Sequence, residues 1–249
     1  MEVKGSAAVV TGITGGLGRR ICLALAKAGA NVVGVYLKSR SEAEAYAAEL
    51  SALGPRVVAV QADITTQDGI DKMLGRAVEE FGRVDILVND AAYNRWIPFD
   101  DLETLNAEVW SYILNYNLTA PFLAMRSVAP IMKRQGQGRI VSITSIAGLT
   151  PTGSSIAYAV SKAALIHLTR CMAVALGPEV IVNSVAPGLM EGTRMTANLA
   201  PEFVQMSRES TALRRAADKD DVADAILTLI RTDSITGQTL VVDSGKFYH

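Results

Sequence analysis

Cysteine and histidine are scarce: the 249 residues hold two of each. Cys22 ("RRICLALA") and Cys171 ("LTRCMAVAL") sit in apolar, helix-like contexts remote from one another. No metal-ligand spacing exists, so a zinc site is excluded and both are expected as buried free thiols of a cytoplasmic chain. An excess of one charge is also missing. Lys and Arg total 24 against 25 Asp and Glu, and they are scattered rather than clustered. That excludes a polybasic face for nucleic acid or for an anionic membrane. The opening "MEVKGSAAVV" has no basic-then-apolar signal segment. No apolar run approaches the length needed to cross a bilayer. Linkers, charge runs, low-complexity tracts and repeats are absent too, so one domain spanning 1–249 is expected.

What is present is alternation. Short β-branched runs at 7–10, 31–36, 56–62, 84–88, 139–144, 180–186 and 239–243 read as strands. Several are apolar on both faces, as a parallel sheet covered by helices requires. Helical patterns fall between them near 17–28, 41–53, 67–81, 107–134, 156–176 and 219–231. "SEAEAYAAEL" opens on a capping Ser and is rich in Ala and Glu, and "DKDDVADAILTLI" opens on acidic residues suited to a helix N-terminus. Such alternation implies right-handed βαβ units and a doubly wound α/β fold, a parallel sheet of about seven strands with helices on both faces.

The segment "VTGITGGLGRRICLALAKAGANVV", residues 10–33, holds five glycines, and the cluster at Gly12, Gly15 and Gly16 falls between the first strand and the first helix. A Rossmann-type sheet places a dinucleotide pyrophosphate there, against free N–H groups and the positive end of the helix dipole. A second signal is Tyr158-x-x-x-Lys162 in "SIAYAVSKAAL". Residues four apart on a helix share a face, so a phenol and an ammonium can aim at one point. An adjacent ammonium is expected to lower the phenol pKa and make Tyr158 a usable general acid/base.

The spacing Thr11-Gly12-x-x-x-Gly16-x-Gly18 differs from the common G-x-G-x-x-G and resembles the cofactor loop of the short-chain dehydrogenase/reductase family. The resemblance extends over nearly the whole chain. It implies that Gly12 makes the turn, that Gly16 and Gly18 admit cofactor and helix packing, and that Thr14 and Leu17 join the cofactor set. It makes Tyr158 and Lys162 catalytic and selects Ser145, thirteen residues upstream, as the serine that shares the substrate oxygen, over its neighbours Ser142 and Thr144. Ser154 and Ser155 are read instead as helix caps. Asn117 in "WSYILNYNLTAPF" matches the family's helix Asn, which holds a water in a proton relay to the Lys; Asn115 is its competitor. Asp63 and Ile64 ("ADIT") would bind the adenine. Asn89 and Ala91 ("VNDAAYN") would line the adenosine side, with Asp90 and Ala92 departing from the family's Asn and Gly. Pro187, Gly188 and Thr193 would flank the nicotinamide, with Thr193 one residue later than the commonest spacing.

After the second strand the chain reads Leu37, Lys38, Ser39 and Arg40, with no carboxylate before Glu42. A ribose 2′-hydroxyl would want an acceptor here, whereas a 2′-phosphate suits these residues. NADP(H) is therefore expected over NAD(H), although Gly15 stands where NADP users often carry a basic residue. The substrate pocket is expected between Tyr93–Trp96, 146–153 and a variable lid at 189–212. Its residues would be Ser145, Tyr158, Tyr93, Trp96 and Met190, with Met195, Leu199, Phe203 and Met206 about the mouth. The resemblance implies an NADP-dependent reductase of an apolar ketone, or dehydrogenase of the matching alcohol, assembled as a homotetramer. The chain is also similar to 3-oxoacyl-carrier-protein reductases, though Val174 stands where those carry an Arg. A sugar-nucleotide epimerase would need a longer C-terminal part. A non-catalytic dinucleotide-binding protein would have no use for Ser145, Tyr158 and Lys162 together.

Overall fold

In the computed structural model, which describes residues 1–248, seven parallel strands form one sheet in the order β3-β2-β1-β4-β5-β6-β7. The strands are β1 (Ala7–Thr11), β2 (Asn31–Tyr36), β3 (Val57–Gln61), β4 (Ile86–Asn89), β5 (Gly138–Ile143), β6 (Val180–Pro187) and β7 (Thr239–Val242). The run "AAVVT" of β1 is buried along its whole length because helices cover both sides of the sheet. The helices are α1 (Gly16–Lys27), α2 (Arg40–Ser51), α3 (Gln67–Phe81), α4 (Ala107–Leu114), α5 (Ala120–Gln135), α6 (Ile156–Leu176), α7 (Pro201–Glu209) and α8 (Lys219–Arg231). One core packs Ile21 and Leu25 of α1 with Val222 and Ile226 of α8; the other packs Ile70 and Met73 of α3 with Met125 of α5 and Leu165 of α6. The strand order reverses between β1 and β4. That reversal opens a crevice at the carboxyl ends of the strands, where such sheets bind ligands.

Three expectations are corrected. The helix read over 107–134 is interrupted by a π turn at Asn115–Thr119. Pro121 has no N–H to offer the carbonyl four residues back, that of Asn117, so the α-helical ladder cannot run through. Second, α6 is long and apolar enough to cross a membrane by length and composition; half of that stretch is buried, and it packs on β6. Third, Cys22 is buried but Cys171 is exposed on the outer face of α6.

Candidate functional site

The β1–α1 loop forms one wall of the crevice. Gly12 turns it with φ +91°, and Gly18 packs so tightly that a Cβ would lie 2.1 Å from the Gly12 carbonyl oxygen. Gly15 caps α1 without a side-chain hydrogen bond, and the first turn carries no acidic residue. The first N–H groups and the positive dipole end are therefore left for an anion. These features fit a dinucleotide pyrophosphate.

The opposite wall joins β5 to α6. Ser145 caps a 3-10 turn at Ile146–Gly148, its Oγ accepting from the Ala147 N–H at 3.2 Å. That turn lies directly on α6: a Cβ on Gly148 would come within 2.6 Å of the Lys162 backbone. Ser145 is thereby held against the helix that carries Tyr158 and Lys162. Ser155 caps α6, accepting from the Tyr158 N–H at 3.2 Å. Ser154 does not cap; its buried hydroxyl has no hydrogen-bond partner. Lys162 is buried, donates from Nζ to the Ile143 carbonyl at 2.8 Å and lies 5.7 Å from the centre of the Tyr158 ring.

Burial dominates the electrostatics. It pushes the Tyr158 phenol up to about 12, with the Ser145 hydrogen bond pulling the other way and the Asp90 charge adding to the rise. The expected lowering is thus reversed, because desolvation of a phenolate outweighs the Ser145 hydrogen bond, the one cause that lowers it. Lys162 is pushed down to about 8 by the same burial, opposed by Asp90. The Asp90 carboxyl is pushed up to about 7, again by desolvation, opposed by Lys162. At neutral pH the Tyr158 hydroxyl is in its proton-donating form.

Polar groups brace the crevice from β1 and β4. Thr11 Oγ1 accepts from the N–H groups of Asp90 and Ala91, both at 3.0 Å. Asn89 is buried and donates to Ser142 Oγ at 3.3 Å. Asn117 Oδ1 accepts from Tyr93 N at 2.8 Å, and its Nδ2 donates to Tyr93 O at 2.9 Å and to Ser161 Oγ at 3.1 Å. The Asn117 side chain is therefore committed to the loop after β4 and to α6.

Both walls open on one cavity of about 1050 Å³. Of the expected cofactor set, Gly12, Thr14, Gly16, Leu17, Leu37, Ile64, Ala91, Tyr158, Lys162, Pro187, Gly188 and Thr193 line it, as do Ser145, Trp96 and Met190. The others do not. Gly18, Asn89 and Asn117 pack behind it, and Asp63 Oδ1 accepts from Thr65 N and Oγ1 instead. The Tyr93 ring stacks edge-on against Tyr112, 4.8 Å away, rather than facing substrate. Lys38 is exposed outside the cavity, and Arg40 turns away to pair with Glu44 at 2.8 Å. A cation not anticipated replaces it: Arg194 of the lid reaches Ser39 Oγ at 3.4 Å and Glu42 at 3.5 Å. Trp96 packs against the lid, donating to the Met195 carbonyl at 3.3 Å and meeting Phe203 edge-on. Met195, Phe203 and Met206 line the cavity, together with Arg215, Lys246 and Phe247, whose place no local pattern announced. Among the described residues no group of three His, Cys, Asp or Glu can hold a metal ion.

Comparison with known proteins agrees with this fold. A family model of short chain dehydrogenases matches residues 6–203. Ketoacyl reductase 2, ascribed to the granaticin polyketide synthase of Streptomyces violaceoruber, is 40% identical over 241 residues, 96% of this chain and 94% of that protein. A 3-oxoacyl-[acyl-carrier-protein] reductase of Synechocystis is 37% identical over 242 residues, 96% and 95% of the two chains. The crystal structure of an NADPH-dependent 3-quinuclidinone reductase from Rhodotorula rubra superposes with a TM-score of 0.91 at 28% identity, covering 98% of this chain and 92% of that one.

Proposed function

The chain belongs to the short-chain dehydrogenase/reductase family, NAD(P)-dependent oxidoreductases of C=O and CH–OH groups, and from that premise we propose that it reduces a ketone to a secondary alcohol with NADPH. The observation that carries the reading is the convergence of Ser145, Tyr158 and Lys162 on the cavity that the glycine loop also lines. Bound NADPH supplies the hydride. Ser145 and Tyr158 hold the substrate oxygen by hydrogen bonds, and Tyr158 gives it the proton as the carbonyl carbon is reduced. Lys162, fixed by the Ile143 carbonyl, carries a positive charge below its pKa that steadies the developing phenolate. Asn117 positions the Tyr93 loop and α6 around this centre.

Leu37, Ser39 and Arg194 support the NADPH preference. They provide no carboxylate for a 2′-hydroxyl and one cation for a 2′-phosphate, although Glu42 partly neutralises it. The names of the curated relatives support a 3-oxoacyl thioester as the substrate class, while the apolar lining by Met190, Phe203 and Met206 suits any ketone with an apolar chain. Val174 is 86% exposed at the carrier-protein position, so a free thioester is favoured over docking through that residue. The remaining assignments are one domain with a lid at 189–212, a cytoplasmic location and a homotetramer. Incubation with NADPH and 3-oxoacyl thioesters or plain ketones should yield secondary alcohol and NADP⁺ in equal amounts. Binding of NADPH with no turnover of any carbonyl would refute the activity.

A further inference from the structure

We propose, building on the ketoreductase reading, that the lid end of the cavity is a second subsite, in which Lys246 and Arg215 hold an anionic group carried by the substrate remote from its carbonyl. The cavity lining is mixed: it includes the polar Ser145 and Tyr158, the apolar Met190, Phe203 and Met206, and the cations Lys246 and Arg215. Lys246 donates to the Ser210 hydroxyl and the Arg215 N–H to the Thr211 hydroxyl at 3.1 Å, which sets both beside the end of the lid. The other lid cations are engaged. Arg208 is held two-pronged by Glu191, at 2.6 and 2.5 Å, and Arg194 faces Glu42 and Ser39.

Lys246 has no such partner. It donates to Ser210 Oγ and forms no ion pair among the described residues. Arg215 reaches only Asp221, at 3.8 Å with both side chains more than half exposed. Such a pair contributes little and leaves most of its donors free. The one carboxylate lining this end is Asp243, and its own turn uses it up. Oδ1 accepts from Gly245 N at 2.9 Å and Oδ2 from Phe247 N at 2.8 Å.

The two cations also sit on fixed backbone. The turn carrying Lys246 is tied to the segment after α7 by Ala212 N–H to Gly245 O and Leu213 N–H to Ser244 O, both 3.1 Å, and the Thr211 hydroxyl bonds both the N–H and the carbonyl of Arg215 at 3.1 Å. Two cations without a close carboxylate partner, in a cavity also lined by apolar side chains, match a molecule that carries a ketone and, elsewhere, a carboxylate or phosphate. A wholly apolar ketone would leave them unused.

The experiment is a matched series: one 3-oxo chain ending in a methyl ester, a carboxylate or a phosphate monoester. Each is assayed with NADPH at low and high salt against wild type, K246A/R215A and K246R. The expected wild-type ratio of kcat/KM, anionic over neutral, is about tenfold at low salt, as two exposed charge-assisted contacts allow. It should fall to near one in K246A/R215A through KM rather than kcat, persist in K246R and shrink with salt. Preference for phosphate would identify a phosphorylated thioester arm, and preference for carboxylate a keto acid; both support the subsite. A second readout needs no turnover: the phosphate-ended alcohol product should raise the wild-type unfolding temperature and leave that of K246A/R215A unmoved. Reduction of all three compounds at one ratio, or a ratio unaltered in K246A/R215A, overturns the subsite and leaves the ketoreductase reading standing. Failure to reduce any of them overturns that reading itself.

Discussion

Replacing Asp90 by Asn should stabilise the protein at alkaline pH, and the size of the effect follows from where the carboxyl lies. Asp90 follows β4 and lies against the glycine loop; its Oδ2 stands 2.9 Å from where a Cβ of Gly18 would be. Burial raises its pKa from 3.8 to about 7. A raised pKa means that the folded state binds the proton more tightly than the unfolded one. The resulting stabilisation is complete below pH 4 and is lost as pH rises through 7. Above 7 the folded chain carries a poorly solvated carboxylate. Roughly three pH units at about 1.4 kcal/mol each give a ceiling near 4 kcal/mol. The group lines an open cavity, so solvent screening reduces this to about 1–2 kcal/mol. For a chain of this length that is roughly 3–6 °C in Tm. Thermal unfolding of wild type and D90N should show that gain at pH 8.5, about half of it at pH 5.5. NADPH affinity should follow the same curve, weakening above pH 7 in wild type and staying flat in D90N, because the ionised carboxyl faces the phosphate cradle. Equal stability at pH 8.5, or a difference that ignores pH, would refute the reasoning.

Other predictions concern cofactor choice, the loop and assembly. Leu37→Asp should reverse the cofactor order by supplying a 2′-hydroxyl acceptor and repelling a 2′-phosphate, and R194A should cut the NADPH preference several-fold; kcat/KM for both cofactors measures it, and unchanged ratios would refute both. Gly18→Ala sets a methyl 2.1 Å from the Gly12 carbonyl, so it should cost about 1–3 kcal/mol and weaken NADPH binding at least tenfold by fluorescence titration. Light scattering should give about four times the 26.5 kDa chain mass, since Phe122, Val160 and Val174 are exposed along α5 and α6; a monomer mass would refute the tetramer.

The centre of the sheet was legible because β1, β4 and β5 are buried along their whole length, so a run such as "AAVV" has no polar residue to blur it. The glycine loop and Tyr158-x-x-x-Lys162 were legible because each is a local spacing. What escaped depends on distant contacts. Lys246 enters the cavity because β7 lies beside β6 and its turn bonds to the segment after α7. Arg194 takes the place expected for Arg40 because Glu44, one helical turn on, draws Arg40 away. The break at Asn115–Thr119 had a local signal in Pro121, masked by apolar residues that continue the helical pattern on both sides. Tyr93 turns from the cavity because Tyr112, nineteen residues later, offers its ring an aromatic partner. The phenol pKa was misjudged for a related reason: the four-residue spacing reports proximity to Lys162, whereas burial is a property of the assembled fold.

The central claim is that Tyr158 is the proton donor for carbonyl reduction, and Tyr158→Phe, which removes one oxygen atom, tests it most directly. Turnover should be measured with a 3-oxoacyl thioester and NADPH, alongside the NADPH dissociation constant by fluorescence. The account predicts a fall in kcat of about 10²–10⁴-fold with NADPH affinity held within about twofold. A Phe variant that keeps more than a tenth of wild-type turnover, or that fails because it no longer binds NADPH, would contradict it.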